Sequence, residues 1–183
     1  LPDTYSAFEV ARWFIERAAS SDAELSNLKL QKLLYYAQGR YLVTTGRPLF
    51  REPVEAWDHG PVVSDVYHAC KGNGGASVAI DVTEWPQSVV DQESKRILEA
   101  VWANEGKLDA WKLRAMTHSE PPWKLHFEAG KRHAVIPNDA IQKFFSEQHL
   151  APSLSIDDAL SEWVDASHDL AERFLPGSEV AEW

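Results

Sequence analysis

The chain has 183 residues, enough for a compact domain whose folding removes roughly 70% of the unfolded chain's surface from water, so no disulfide or metal staple is required. Apolar residues make up 44%, charged residues 25% and aromatics 11%, a globular composition that excludes collagen-like, coiled-coil and disordered chains. Eighteen Lys and Arg against 28 Asp and Glu give a formal charge of −10, and because a duplex-binding domain needs a basic face, nucleic acid is not expected as a partner.

The acid is unevenly spread. Residues 1–50 hold six basic and five acidic side chains, net +1, whereas residues 151–183 hold Arg173 against eight acids, net −7. The single cysteine, Cys70, rules out an internal disulfide framework and a Cys-based structural zinc site. No apolar run approaches the roughly 20 residues needed to span a bilayer. Arg12, Glu16 and Arg17 interrupt the first apolar stretch, so no signal peptide is legible. The expected setting is therefore cytoplasmic, away from any membrane. Eight Trp promise an aromatic core or an aromatic contact surface.

In chain order, Ser6-Ala-Phe-Glu9 reads as a capping box, with Phe8, Ala11, Ile15 and Ala18 recurring at helical spacing until Ser20-Ser21-Asp22. A second helix starts near Ser26-Asn27 and runs to about Val43. Leu30, Leu33, Leu34, Ala37 and Tyr41 form its stripe, and Leu28, Tyr35 and Leu42 add apolar surface elsewhere, so it is expected to be central and packed on several sides. Gly46 supplies the stop. Arg47–Pro53 is extended, and Val54–Trp57 alternates as a strand that could form a short hairpin. His59-Gly60-Pro61 is a turn, with Pro61 placed as the first residue of a third helix carrying Val63, Val66, Tyr67 and Cys70 on one face. Gly72–Ser77 is a loop and Val78–Val82 a second strand. Ser88-x-x-Asp91 opens a fourth helix with Val90, Ile97 and Val101. A fifth spans Asp109 to about His118, with Trp111 and Ala115 inward. Pro121-Pro122 begins a short helix to Phe127, and Pro137-Asn138 opens another through Ile141, Phe144 and Phe145. A last, acidic helix runs from Ser155 to about Leu175, behind a boundary near Leu150–Ser153.

Catalytic chemistry finds little support. His68 and Cys70 are two apart on a helix and point about 200° from each other, so they cannot grip one ion. His118, His126 and His133 recur at intervals of eight and seven, with a Pro-Pro turn between, and lack the i, i+3 or i, i+4 spacing of helical ligands. Cys70 lies on an apolar stripe, which suits a buried thiol. No Gly-x-Ser-x-Gly, His-Glu-x-x-His or phosphate-cradling loop occurs. Neither cofactor nor metal is expected, nor a small-molecule substrate. Asp58 with His59 gives the one hydrolase or transferase reading, as a remote alternative.

Polar chemistry inside greasy segments stands out instead. Gln31, Tyr35 and Gln38 form one stripe of the second helix and Lys32, Tyr36 and Arg40 another. Burying such groups unpaired costs on the order of 1–3 kcal/mol each. Backbone carbonyls of the Ala56–Pro61 turn are the expected acceptors, so that helix and loop pin each other or shape a recognition groove.

These residues carry a resemblance. Leu28-Lys-Leu-Gln-Lys-Leu-Leu-Tyr-Tyr-Ala-Gln38, Gly46-Arg-Pro-Leu-Phe50, Glu55-Ala-Trp57, His59-Gly-Pro-Val62 and Thr117-His-Ser-Glu-Pro-Pro-Trp123 resemble, in order, the Panacea domain. That family was formerly a domain of unknown function, is often phage-associated, and includes the Soc-type antitoxins. The resemblance covers roughly residues 5–150. It implies a non-enzymatic scaffold that neutralises a cognate protein toxin by direct contact, as in type II toxin–antitoxin systems. The alternative it implies is a proteolytic adaptor that hands the toxin to an ATP-dependent protease, through the acidic helix or the Glu179–Trp183 tail.

The expected fold is mainly α: one compact helical domain of about six to eight helices with a small antiparallel β element. Residues 1–150 are expected to form the Panacea-like domain, with 151–183 an acidic helix and tail packed on it or extending it. Expected scaffold residues are Leu30, Gln31, Lys32, Leu33, Tyr35, Gln38, Trp57, Gly60 and Pro61. Expected partner contacts are Tyr36, Trp57, His59 and Trp123.

Overall fold

A computed structural model of the chain describes residues 4–72, 77–78, 81–87, 89–131 and 133–150. Seven α-helices and three short strands follow one another within them. The expected helix over 155–175 and the Glu179–Trp183 tail lie outside the described residues.

Helix α1 (Ala7–Ser20) is closed by the capping box read from the sequence. Ser6 Oγ accepts from the Glu9 amide at 3.2 Å, and the Glu9 carboxylate accepts from the Ser6 amide at 2.7 Å. Helix α2 (Asn27–Thr45) starts at Ser26, whose side chain accepts from the Lys29 amide, and stops at Gly46. Gly46 sits at φ 70°, the left-handed conformation that glycine adopts without a Cβ penalty.

Helix α2 is the axis of the structure. It packs against α1, against α3 (Ser64–Ala69), against α4 (Gln92–Asn104), against α5 (Ala110–Ser119) and against the second strand. Leu30, Leu33, Leu34, Tyr35 and Ala37 are fully buried. Each such large apolar side chain contributes about 1.5–3 kcal/mol by leaving water. Helix α7 (Asn138–Leu150) lays Ile141 and Phe145 on the same core. Gly39 makes that approach possible: a Cβ there would lie 2.3 Å from the Phe145 ring.

The sheet has the order β2-β1-β3, all antiparallel: β2 is Gly60–Val62, β1 Val54–Trp57 and β3 Ala134–Ile136. The hairpin of β1 is the one expected, but Pro61 belongs to β2 and does not open α3, which begins at Ser64 behind Val63. Proline is tolerated there because β2 is an edge strand and needs no outward N–H. The third strand is β3. The expected strand over Val78–Val82 is not formed in its described part, where Ser77 makes an isolated bridge to Ser26 and Val78 donates to the Leu25 carbonyl.

Two faces also differ from expectation. Helix α4 is capped by Asp91, so Val90 precedes it, and its buried side chains are Ser94, Leu98 and Val101. On α5 the buried pair is Leu113 and Thr117, whereas Trp111 is 66% exposed and Ala115 is exposed too. The remaining helix is α6 (Pro121–His126), opened by two prolines.

Candidate functional site

The two polar stripes of α2 are buried except at Arg40, whose side chain is 34% exposed, and they diverge to separate partners. Gln38 Oε1 accepts from the amides of Leu49 and Phe50, and its Nε2 donates to the Phe50 carbonyl. Gln31 Oε1 accepts from the Val63 amide at 2.9 Å. Lys32 alone reaches the expected turn, donating to the Pro61 carbonyl at 2.8 Å. The reason is helix rise: Gln31 and Gln38 are seven residues, about 10 Å, apart along the axis and cannot serve one turn.

Tyr36 donates to Glu120 at 2.7 Å, and Arg40 to Glu105. Tyr35 Oη lies beside the same Glu120 carboxylate without a hydrogen bond of ordinary geometry. Glu120 Oε2, Glu105 Oε2 and His118 Nε2 are likewise buried without a partner.

Burial governs the protonation of this cluster. Desolvation lowers the Lys32 ammonium to about 7, helped by Arg114 and opposed by Glu120. Burial raises the Glu120 carboxyl and both tyrosine hydroxyls above their ordinary values. Burial, with Arg114, Lys32 and His59 adding like charge, lowers His118 to about 4. A neutral His118 suits its stacking on Trp123 at 3.9 Å.

Together these groups hold the β1–β2 hairpin turn from beneath. Gly60, at φ 98°, brings its Cα against the end of Lys32, where a Cβ would meet Nζ and Thr117 Oγ1 at 2.8 Å. Trp123 Nε1 donates to the Trp57 carbonyl at 2.9 Å. Tyr36, 4% exposed, and Trp123, 8% exposed, are therefore members of this clamp, and their rings are not reachable from outside.

The outer side of the turn is different. His59 is exposed and its Nδ1 accepts from Arg114 Nε at 3.3 Å. The Arg114 guanidinium lies 5.7 Å from the Trp111 ring. Asp58 makes no hydrogen bond to His59, so the two form no acid–base dyad in this geometry. Trp57 is half-buried, with Tyr67 at 5.0 Å, His133 at 5.7 Å and His68 at 5.9 Å around it. Glu55 Oε2 accepts from Trp57 Nε1 and lies 2.7 Å from His133 Nδ1.

Among the described residues no three His, Cys, Asp or Glu side chains are gathered to hold a metal ion, and no helix is long and apolar enough to cross a membrane. Cys70 is buried, and burial pushes its thiol up to about 11.

The family described as "Antitoxin SocA-like, Panacea domain" matches residues 30–124, about half of the chain. Antitoxin SocA of Caulobacter vibrioides (strain NA1000 / CB15N) is 37% identical over 134 residues, covering 68% of this chain and 71% of that protein. The chain belongs to the SocA-like, Panacea-domain antitoxin family. No solved structure matches it.

The Panacea match contains both halves of the clamp, Lys32 and Tyr36 on one side and Glu120 with Trp123 on the other. Sequence reasoning missed Glu120 and Glu105 as acceptors, Arg114 as the neighbour of His59, and the Glu55–His133 pair. Glu120 lies in the quoted Thr117–Trp123 motif, which was the available signal. Glu55 likewise lies in the quoted Glu55–Trp57 motif, whereas Arg114 and Glu105 carry no such signal, their partners lying 55 and 65 residues away.

Proposed function

We propose that this Panacea-domain protein is a cytoplasmic antitoxin that neutralises a cognate protein toxin by direct contact, and that the outer side of the β1–β2 turn is the contact face. The carrying observation is Trp111, an indole 66% exposed beside Arg114 and His59, next to a turn fixed from below by buried bonds. Protein interfaces concentrate their binding energy in Trp, Tyr and Arg side chains. An anchor held rigid before binding loses less conformational entropy on association. A specific interface buries about 1,600 Å² in total, so this face would extend over several elements. His59 and Trp57 belong to it; Tyr36 and Trp123 support it from inside. The charge of −10 suits a basic toxin and speeds encounter at low salt.

The test is co-expression with the product of the neighbouring reading frame, reading growth and co-purification. The expected result is restored growth, a stable complex and an unchanged toxin level, with both rescue and complex lost in Trp111→Ala. A partner equally harmless with and without this chain would defeat the proposal. Rescue accompanied by disappearance of the toxin would replace inhibition by delivery to a protease.

A further inference from the structure

The sheet carries a second feature that neither the clamp nor Trp111 uses. Strand side chains alternate between faces, so Glu55 and Trp57 leave β1 on the side opposite the core residues Val54 and Ala56. The Glu55 side chain is only 10% exposed. Its Oε2 accepts from Trp57 Nε1 at 2.7 Å and faces His133 Nδ1 at 2.7 Å. Trp57 Nε1 and His133 Nδ1 thus converge on one oxygen of the carboxylate. Oε1, by contrast, takes no hydrogen bond, although a carboxylate offers about four lone-pair sites. Oε1 is not sealed in the core, so the carboxylate is held in place through one oxygen and keeps the other open to a donor from outside.

The surroundings narrow the donor's chemistry. Trp57 and His133 touch the carboxylate through their ring nitrogens, with the Tyr67 ring packed on Trp57, and the negative face of an aromatic ring attracts cations. Val135 stands directly across from Glu55 in the β1–β3 register and is 51% exposed, an apolar strip of the kind that the methylene stem of Lys or Arg covers. His133 is held at φ 64°, in the left-handed region that a residue with a Cβ seldom occupies. Such outliers persist where the surroundings over-determine them, and they cluster at functional sites. Here the bond to Glu55 fixes the ring.

We propose that Glu55, Trp57, Tyr67, His133 and Val135 form a receptor for a basic side chain, arginine or lysine, presented by the toxin. The ammonium or guanidinium donates to Glu55 Oε1 over the Trp57 ring, and its stem lies on Val135. The assignment of the toxin as source rests on the antitoxin reading above, with which the net charge of −10 agrees. The cation chemistry does not rest on it.

The probe is Nα-acetyl-arginine amide, with Nα-acetyl-citrulline amide as the uncharged control, titrated into the full chain while the Trp57 Nε1–H resonance is followed by NMR. The expected result is a saturable shift with a dissociation constant on the order of 1–10 mM, absent with citrulline. Glu55→Gln and Val135→Lys should each weaken it at least about fivefold, a fold-change well inside the range of one lost charged contact. Val135→Lys alters an exposed position, so the test survives if Glu55→Gln does not fold. Equal shifts from arginine and citrulline, or an unchanged constant in the variants, would overturn the receptor while leaving the antitoxin reading intact if growth is still rescued. An arginine-specific shift in a chain that rescues no growth would remove the toxin as occupant and overturn the proposal as stated.

Discussion

Lys32 Nζ lies 2.8 Å from the carbonyl oxygen of Pro61, joining a fully buried ammonium on α2 to the edge strand of the hairpin. Pro61 has no N–H to give, but its carbonyl accepts from a lysine that is 0% exposed. The bond fixes where the hairpin turn sits over α2. Trp123, bonded to the Trp57 carbonyl, fixes the turn's other shoulder. The exposed side of the turn inherits that rigidity without taking part in it.

Gly60 tests the closeness of this approach. An alanine there would combine a positive φ with a Cβ 2.8 Å from Lys32 Nζ and Thr117 Oγ1. Left-handed backbone costs a residue with a Cβ roughly 1–2 kcal/mol, and overpacking adds about 1–3 kcal/mol. Gly60→Ala should therefore lose about 2–5 kcal/mol in urea unfolding. A loss below about 0.5 kcal/mol, the usual size of an inconsequential surface change, would mean that the turn is not clamped.

The buried ammonium predicts a pH dependence. Its folded value of about 7 lies below the unfolded 10.5. Below pH 7 both states are protonated and the cost of the buried charge is fully present. Between the two values the unfolded chain binds more protons, so stability rises with pH. The unfolded Cys70 thiol, with its ordinary value of 9.0, begins to titrate at the top of the pH 7–9 window and acts in the opposite sense. Up to about 2 kcal/mol of gain is expected there, at 1.36 kcal/mol per unit. Lys32→Met should flatten the slope while leaving the Pro61 carbonyl unpaired, at a cost of about 1–3 kcal/mol. An identical slope in the variant would place the titration elsewhere.

Gly39 makes a prediction against propensity. Alanine normally improves a helix interior over glycine by about 1 kcal/mol. At Gly39 its Cβ would fall 2.3 Å from the Phe145 ring, and α7 would have to shift. Gly39→Ala should lower the thermal midpoint, and adding Phe145→Leu should recover part of the loss, a non-additivity expected only of residues in contact. A raised midpoint in the single variant would show that α7 does not pack there.

Local signals were legible. The Ser6–Glu9 box, the Ser26 cap and the Gly46 stop are each written within a few residues, and α1 and α2 form where those signals lie. The rotation of α5 was not. Trp111 with Ala115 and Leu113 with Thr117 are equally good i, i+4 pairs about 200° apart, and the larger side chain suggested the wrong one. Strand β3 is three residues long with an exposed centre, too short to show a period, and only pairing with β1 creates it. At the site, the polar stripes of α2 announced that partners were needed. Their identities were hidden: Glu120 is 84 residues from Tyr36 and Glu105 is 65 from Arg40. Chain reversal, not spacing, brings them together.

Amide hydrogen exchange of the chain, free and bound to its toxin, is the sharpest check on the contact face. The account predicts new protection at Asp58–His59, along the exposed side of α5 around Trp111, and at His133–Val135, with the α1 surface unchanged. Protection confined to α1 and α4 in a toxin-bound, growth-rescuing complex would contradict it.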